Sequence, residues 1–353
     1  PENPFLYDVE VTLGEDRVRS YFGMRSFGVG PDEDGVPRLL LNGQPHFQAG
    51  VLDQGYWPDG LMTAPSDDAL VHDITTMKQL GFTMLRKHVK VEPLRWYHHC
   101  DRLGMLVWQD LPNGGRRYRT AAVTWPGNLP IRLDDTKRRD WLGRPDEHSR
   151  AVFREEMRRT VQHLRNVPSL AVWVPFNEGW GQFDATSVAD ELRRLDSTRP
   201  IDHASGWHDQ GGGDMRSVHV YGRRFRAPRR RDRRPLVLSE YGGRTLLLEG
   251  REYDEEKAFG YGMEQSPAGL TDWFVSLHQQ QLAPAVARGL SASVYTQLSD
   301  VEGEVNGLLT YDREMIKVSP EAVRAALRLL TLPSRTEIEQ AMDAESGFPD
   351  DTQ

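Results

Sequence analysis

The sequence is poor in cysteine and contains no long hydrophobic run. Cys100 is the single cysteine among 353 residues, which excludes an internal disulfide framework. No apolar run approaches the roughly 20 residues that a transmembrane helix needs, so we expect no membrane partner. The chain begins at Pro1, without the basic and apolar regions of a signal peptide. We therefore expect a processed chain or an excised piece of a longer one, and the cellular compartment stays open.

Positive charge is in the minority, except in one short segment. There are 44 Lys and Arg residues against 52 Asp and Glu residues, a net charge of −8, and 38% of the residues are hydrophobic. These proportions are typical of a globular protein with a large core. Residues 223–234, however, include eight arginines. Such a run alone suggests a polyanion partner, but in an acidic chain one basic loop is more typical of a solvated surface, and we expect no nucleic-acid partner.

Short β-rich hydrophobic runs recur along the chain, and most are followed by a stretch with helical periodicity. Near residues 147–165 this periodicity forms one apolar face, made by Phe153, Met157, Thr160, Val161 and Leu164. Alternating strands and helices predict a parallel sheet, and eight strands close an α/β barrel. The predicted fold class is therefore α/β, a (β/α)8 barrel. Its eight predicted strands are residues 46–53, 82–88, 105–110, 170–176, 200–205, 217–221, 236–239 and 292–298.

Two further extended runs, residues 7–13 and 17–23, precede the first predicted barrel strand. Two strands are not stable alone, so they lean on the barrel or belong to a missing β domain. We expect residues 1–30 to be the β remnant of a preceding β-sandwich domain. The barrel then spans residues 31–335, and residues 336–353 form a frayed C-terminal tail.

Two glutamates directly follow buried strands. Glu178, preceded by Asn177, follows the fourth predicted strand, and Glu240 follows the seventh. In eight-stranded barrels the reacting groups lie at the C-terminal ends of strands. A single glutamate in such a place can instead cap a helix or bind an arginine. Two of them in one barrel favour a catalytic pair.

With this pair the sequence resembles the clan of retaining glycosidases, and more narrowly glycoside hydrolase family two. That family includes β-galactosidases, β-glucuronidases and β-mannosidases. Several shorter motifs fit in the same order. They are residues 21–25 at the junction between an immunoglobulin-like domain and the barrel, residues 41–45 before strand one, Arg86 with His88 on strand two, residues 108–110 on strand three, residues 196–200 before strand five, and residues 219–221 on strand six.

The resemblance implies that Glu178 is the general acid/base and Glu240 the nucleophile. Asn177 would then bind the sugar 2-hydroxyl. Apolar neighbours such as Trp180 would favour the protonated form of Glu178. Other expected substrate-site residues are Arg86 and Tyr221 beside Glu240, and the histidines His88 and His219. No metal and no organic cofactor are implied.

The sequence departs from the family at two places where the non-reducing sugar should bind. Residues 51–57 replace the Asn-x-His-Glu that the family often carries on strand one. Residues 295–300 replace the tryptophan platform usual at the end of strand eight. We take four residues near these places as candidate substrate contacts, the alternative for each being exposure or a local hydrogen bond. They are Asp53, Trp57, Gln297 and Glu302.

The expected function is that of a retaining, exo-acting β-glycosidase that hydrolyses a non-reducing-end β-glycoside by double displacement. Family frequency favours a β-galactosidase-like specificity. One alternative is a β-glucuronidase or another uronidase acting on acidic saccharides, because the arginine-rich segment follows strand six and should overhang the catalytic face. Another is a non-catalytic carbohydrate-binding barrel, because the family's enzymes use additional N-terminal β domains that this chain lacks.

Overall fold

A computed structural model describes residues 1–124, 126, 132–228, 232–251, 253, 258–330 and 332 of the chain. The strands are β1 (Tyr7–Leu13), β2 (Asp16–Phe22), β3 (Phe27–Pro31), β4 (Pro37–Leu41), β5 (Gln44–Pro45), β6 (Gln48–Asp53), β7 (Met84–Lys87), β8 (Leu106–Asp110), β9 (Leu170–Val174), β10 (Arg216–Tyr221), β11 (Leu236–Gly242) and β12 (Leu290–Thr296). The helices are α1 (Asp67–Leu80), α2 (Leu94–Leu103), α3 (Thr120–Val123), α4 (Glu147–Leu164), α5 (Ala185–Leu195), α6 (Pro267–Leu277), α7 (Ala283–Val286) and α8 (Pro320–Arg328), with a π-helical turn at His278–Leu282.

Seven of the eight predicted barrel strands form one parallel sheet, in the order β10-β11-β12-β6-β7-β8-β9. The prediction of a regular fifth strand is wrong. Residues 200–205 make only two isolated bridges to the chain around β9, between Ile201 and Trp173 and between Ser205 and Asn177. Pro200 has no N–H to donate to a ladder. On the other side, the Ser217 hydroxyl of β10 donates to Asp202 at 2.8 Å, so side chains replace the missing backbone ladder.

Helices pack around this sheet as the periodicity predicts. In α4 the buried residues are Phe153, Met157, Val161 and Leu164, which confirms the predicted apolar face. Helix α1 begins at Ser66, whose side chain accepts a hydrogen bond from the Ala69 N–H. It ends at Gly81, which takes the left-handed backbone (φ 99°) that glycine adopts without strain.

The first 45 residues form two small antiparallel sheets beside the barrel. Strands β1 and β2 make a hairpin, and β3, β4 and β5 make a three-stranded sheet. The Tyr21 hydroxyl donates to Asp101 at 2.7 Å, and Arg25 donates to the carbonyls of Pro168 and Val167. The hairpin is thereby attached near the N-terminal ends of β8 and β9. The predicted tail, residues 336–353, lies outside the described residues, and the domain division stays a prediction.

Within the described ranges, no helix is both long enough and apolar enough to cross a membrane.

Candidate active site

The loop that follows β9 positions Glu178. The backbone N–H of Glu178 donates to the Ser205 carbonyl at 2.9 Å, so the irregular fifth segment holds it in place. Glu178 itself has a left-handed backbone, with φ of 51°. This conformation is uncommon for a residue other than glycine, and such residues cluster at functional sites.

Glu240 lies inside β11, and buried donors surround its carboxylate. Arg86 of β7 donates to Oε1 at 3.1 Å, and the Tyr221 hydroxyl of β10 donates to Oε2 at 2.5 Å. The Arg86 side chain is fully buried, and it also binds both oxygens of Asp110 at 3.0 and 3.1 Å. Two carboxylates thus share one guanidinium, which satisfies charges that would otherwise be costly to bury.

Asn177 is oriented by the same arginine. Its Oδ1 accepts a hydrogen bond from Arg86 Nη2 at 2.8 Å, which leaves the amide NH2 group as the donor for another partner. His88 is linked less directly, because its Nδ1 lies 3.0 Å from Asp110 Oδ2. Asp110 therefore supports both Arg86 and His88.

The two glutamates meet at His219. One ligand-type atom from each of Glu178, His219 and Glu240 lies within 4.8 Å of the other two. His219 Nδ1 is 2.9 Å from Glu178 Oε1 and 3.6 Å from Glu240 Oε2. In the part of the chain that the structure describes, this is the one group with metal-ligand geometry. The cationic Arg86 against Glu240 disfavours a metal ion there.

Burial separates the protonation behaviour of these groups. It raises the pKa of Glu178 from 4.5 to about 7, although His88 and Arg86 act in the opposite direction. Burial also lowers the pKa of His219 to about 4. At neutral pH the imidazole is therefore uncharged, and a large share of Glu178 carries a proton. This is the state that a general acid requires.

Gln297 and Asp53, two of the expected substrate contacts, are buried in polar networks. Gln297 donates to Asn306 Oδ1 at 2.9 Å and accepts from Gln54 at 2.8 Å. Asp53 accepts from Lys87 at 2.6 Å. These bonds favour supporting roles, and a sugar contact by either residue stays a prediction.

Trp57, Trp180 and Glu302 differ in exposure. Trp57 is buried, with the Arg313 guanidinium 4.1 Å from its ring centroid. Trp180 is 36% exposed and stacks on Tyr118 with ring centroids 6.0 Å apart. Glu302 is half-buried, in a turn with φ of 49°. Only Trp180, two residues beyond Glu178, combines this exposure with proximity in sequence to the glutamate pair.

The matched family agrees with this geometry. Residues 38–325 match the family model described as glycosyl hydrolases family 2, TIM barrel domain. The chain belongs to glycoside hydrolase family 2. A β-galactosidase of Klebsiella pneumoniae strain 342 is 28% identical over 294 residues, which are 77% of this chain and 26% of that protein. A β-galactosidase of Lactococcus lactis is 26% identical over 216 residues, 60% of this chain and 19% of that protein.

Solved structures of family 2 enzymes share the fold. A β-galacturonidase from Eisenbergiella tayi, bound to galacturonate, has a TM-score of 0.64 and 16% identity, and the match covers 94% of this chain and 59% of that one. A β-glucuronidase from Parabacteroides merdae has a TM-score of 0.60 and 16% identity, with 94% and 42% covered. This chain therefore spans about a quarter or less of the β-galactosidases and roughly half of the solved enzymes.

Several residues of this family 2 site carry little or no sequence signal. Asp110 ends β8, so the rule that identifies Glu178 applies to it as well. Tyr261 stacks on Tyr221 with ring centroids 3.9 Å apart, but it comes from a loop without a motif. Glu304, which accepts from Gln54 at 2.9 Å, lies two residues from the predicted Glu302.

Proposed function

We propose that the chain is the catalytic barrel of a retaining, exo-acting β-glycosidase, with Glu240 as nucleophile and Glu178 as general acid/base. The observation that carries this proposal is the proximity of the two carboxyl groups, whose nearest oxygens lie within 4.8 Å. Retaining enzymes separate these groups by about 5 to 5.5 Å, whereas inverting enzymes need roughly 6.5 to 9.5 Å to admit a water molecule.

In the first half of the reaction Glu240 attacks the anomeric carbon while Glu178 donates its proton to the leaving oxygen. Arg86 and Tyr221 hold the attacking carboxylate by hydrogen bonds to its two oxygens. The proton comes from a carboxyl group that burial keeps protonated near neutral pH. The glycosidic C–O bond breaks, the aglycone leaves with the proton, and a glycosyl ester of Glu240 remains.

In the second half Glu178, now ionised, removes a proton from water, and the hydroxide attacks the glycosyl ester. Glu240 leaves as a carboxylate, and the sugar keeps its original anomeric configuration. Asn177 donates through its free NH2 group to the sugar 2-hydroxyl, a bond that strengthens in the oxocarbenium-like transition state.

We propose a β-galactoside as the first sugar to test, because two relatives at 26% and 28% identity are β-galactosidases. The short coverage of those relatives also supports further β domains in the full-length enzyme. Residues 1–30 would then be the remnant of the immunoglobulin-like domain. Loops from such domains can complete a sugar site, so a non-catalytic carbohydrate-binding barrel is the outcome to exclude.

A uronide is the second candidate, favoured by one cavity. Arg223, Arg224 and Arg244 line a cavity of about 310 Å³, together with Tyr261, the residue stacked on Tyr221. Three guanidinium groups in one cavity near the glutamate pair suit a carboxylate substituent. Arg229, Arg230 and Arg231 of the same basic segment lie outside the described residues.

The test is a panel of nitrophenyl β-glycosides, neutral and uronic, with Glu240→Gln, Glu178→Ala and the exposed Glu249→Gln as a matched control. We expect the two site variants to lose at least about 1000-fold in kcat/KM, and the control to keep full activity. Azide should rescue Glu178→Ala and yield a β-glycosyl azide. Full activity of Glu240→Gln would contradict the assignment, and sugar binding without turnover by the parent would support the non-catalytic barrel.

A further inference from the structure

A buried hydrogen-bonded chain runs from the floor of the site to Glu178. Three serine hydroxyls, here called the serine chain, link an aspartate of the irregular fifth segment to His219. The chain consists of Ser205, Ser217 and Ser239, and its end groups are Asp202 and His219. All five side chains are at most 5% exposed. Neither end group is explained by the glycosidase roles assigned above.

The distances in the chain are those of hydrogen bonds throughout. Ser217 Oγ lies 2.8 Å from Asp202 Oδ2 and 2.5 Å from Ser239 Oγ. Ser205 Oγ lies 2.9 Å from Ser239 Oγ and 3.0 Å from His219 Nε2. Asp202 Oδ1 has no hydrogen-bond partner among the described residues, so the serine chain is the described outlet for this carboxylate.

Each hydroxyl has one hydrogen, so the direction of the chain is set from its ends. An ionised Asp202 can only accept, and it draws the hydrogen of Ser217 toward itself. Ser239 then donates to Ser217, Ser205 donates to Ser239, and His219 Nε2–H donates to Ser205. Neutral imidazole carries one hydrogen, so Nδ1 is left as an acceptor facing Glu178 Oε1 at 2.9 Å. The hydrogen between these two atoms must come from Glu178.

We propose that Asp202 is a positioning residue which, through the serine chain and His219, keeps a proton on Glu178 in the free enzyme. The proposal deepens the proposed function, because it rests on Glu178 as the acid. Burial raises the pKa of Asp202 to about 6, so the carboxylate is ionised at neutral pH. The pKa of His219 near 4 keeps the imidazole neutral there.

The ring of His219 cannot turn away from this chain. Gly206 packs against it so closely that a Cβ at this position would lie 2.7 Å from Nδ1. The other charged groups facing the two ends are Glu240, Arg86, His88 and Asp110 around His219, and Arg86, His203 and Asp110 around Asp202. All of them are retained in the variants below, so a change in Glu178 can be assigned to the chain.

Two variants separate the chain from simple charge effects. Asp202→Asn removes the charge, while Ser205→Ala cuts the link to His219 and leaves Asp202 with Ser217. We expect both to lower the pH at which kcat/KM for an aryl β-glycoside declines, by on the order of 1 unit. Ser291→Ala, a buried serine bonded only to backbone carbonyls among the described residues, is the control and should leave the profile unchanged. A shift in Asp202→Asn with none in Ser205→Ala would overturn the chain.

The second readout needs no activity. In protein labelled with ¹⁵N at the histidine rings, the signals of His219 are assigned by their loss in His219→Gln. At about pH 7 we expect hydrogen on Nε2 in the parent and in Ser291→Ala, and on Nδ1 in Ser205→Ala. Hydrogen on Nδ1 in the parent would overturn the proposal. A parent without glycosidase activity would refute the proposed function, and the ring measurement would still decide the chain.

Discussion

At the scale of single residues, Glu178 combines two features that cost stability, a left-handed backbone and a buried carboxyl group. Between pH 4.5, its ordinary pKa, and about pH 7, the folded state binds more protons at this residue than the unfolded state does. The free energy of unfolding therefore falls as pH rises through this window. The loss is complete above about pH 7.

Replacing Glu178 with Gln removes this cost. We expect Glu178→Gln to match the parent near its ordinary pKa and to be more stable by about 3 kcal/mol at about pH 8. Urea unfolding at the two pH values, followed by tryptophan fluorescence, measures the difference. The exposed Glu249→Gln serves as the control and should show no pH-dependent gain. A constant difference between Glu178→Gln and the parent would contradict the assigned burial cost.

Arg86 carries the opposite kind of energy, since two buried carboxylates depend on it. We expect Arg86→Met to lose about 3–5 kcal/mol of unfolding free energy at neutral pH, because Asp110 and Glu240 are left as unpaired charges. The deficit should shrink toward acidic pH, where protonation removes those charges. Arg154→Met breaks a half-exposed pair with Glu191 and should cost less than about 1 kcal/mol. Equal costs for the two variants in urea unfolding would refute this account.

At the scale of elements, the sequence predicts what local rules control. Strand runs, the cap at Ser66 and the apolar face of α4 follow from periodicity and capping, and the structure confirms them. The strand-end rule points to Glu178 and Glu240 for the same reason. The fifth segment defeats these rules, because its shape depends on Asp202 and Ser205 bonding to neighbours far along the chain. Tyr261 is missed likewise, since a loop brings it to the site.

The turn after the fifth segment offers a sharp test of this tertiary control. Gly206 and Gly211 have similar backbones, with φ of 84° and 82°, but only Gly206 faces a neighbour within 4 Å, the His219 ring. We expect Gly211→Ala to cost about 1–2 kcal/mol through backbone strain alone. Gly206→Ala should cost a further 1–3 kcal/mol, roughly, through the clash with the ring. Equal losses in urea unfolding would mean that the ring moves aside freely.

At the scale of the whole molecule, charge is distributed unevenly. The chain has a net charge of −8, yet Arg223 and Arg224 are exposed beside the cavity near the glutamate pair. The overall field repels an anionic sugar, whereas the local field of this cavity attracts one. The two fields act over different distances, so salt separates them.

We expect kcat/KM for an aryl β-galacturonide to fall several-fold as salt rises from about 10 mM to about 1 M, over which the Debye length shrinks from ~30 Å to ~3 Å. An aryl β-galactoside carries no charge, and its kcat/KM should stay within about twofold. Substituting Arg223 and Arg224 together by Ser should remove the salt dependence for the uronide. The matched control replaces Arg17 and Arg19 of the exposed hairpin by Ser, with the same change in net charge. If both pairs weaken uronide hydrolysis equally, the effect belongs to the net charge, and the arginine cavity is no carboxylate subsite.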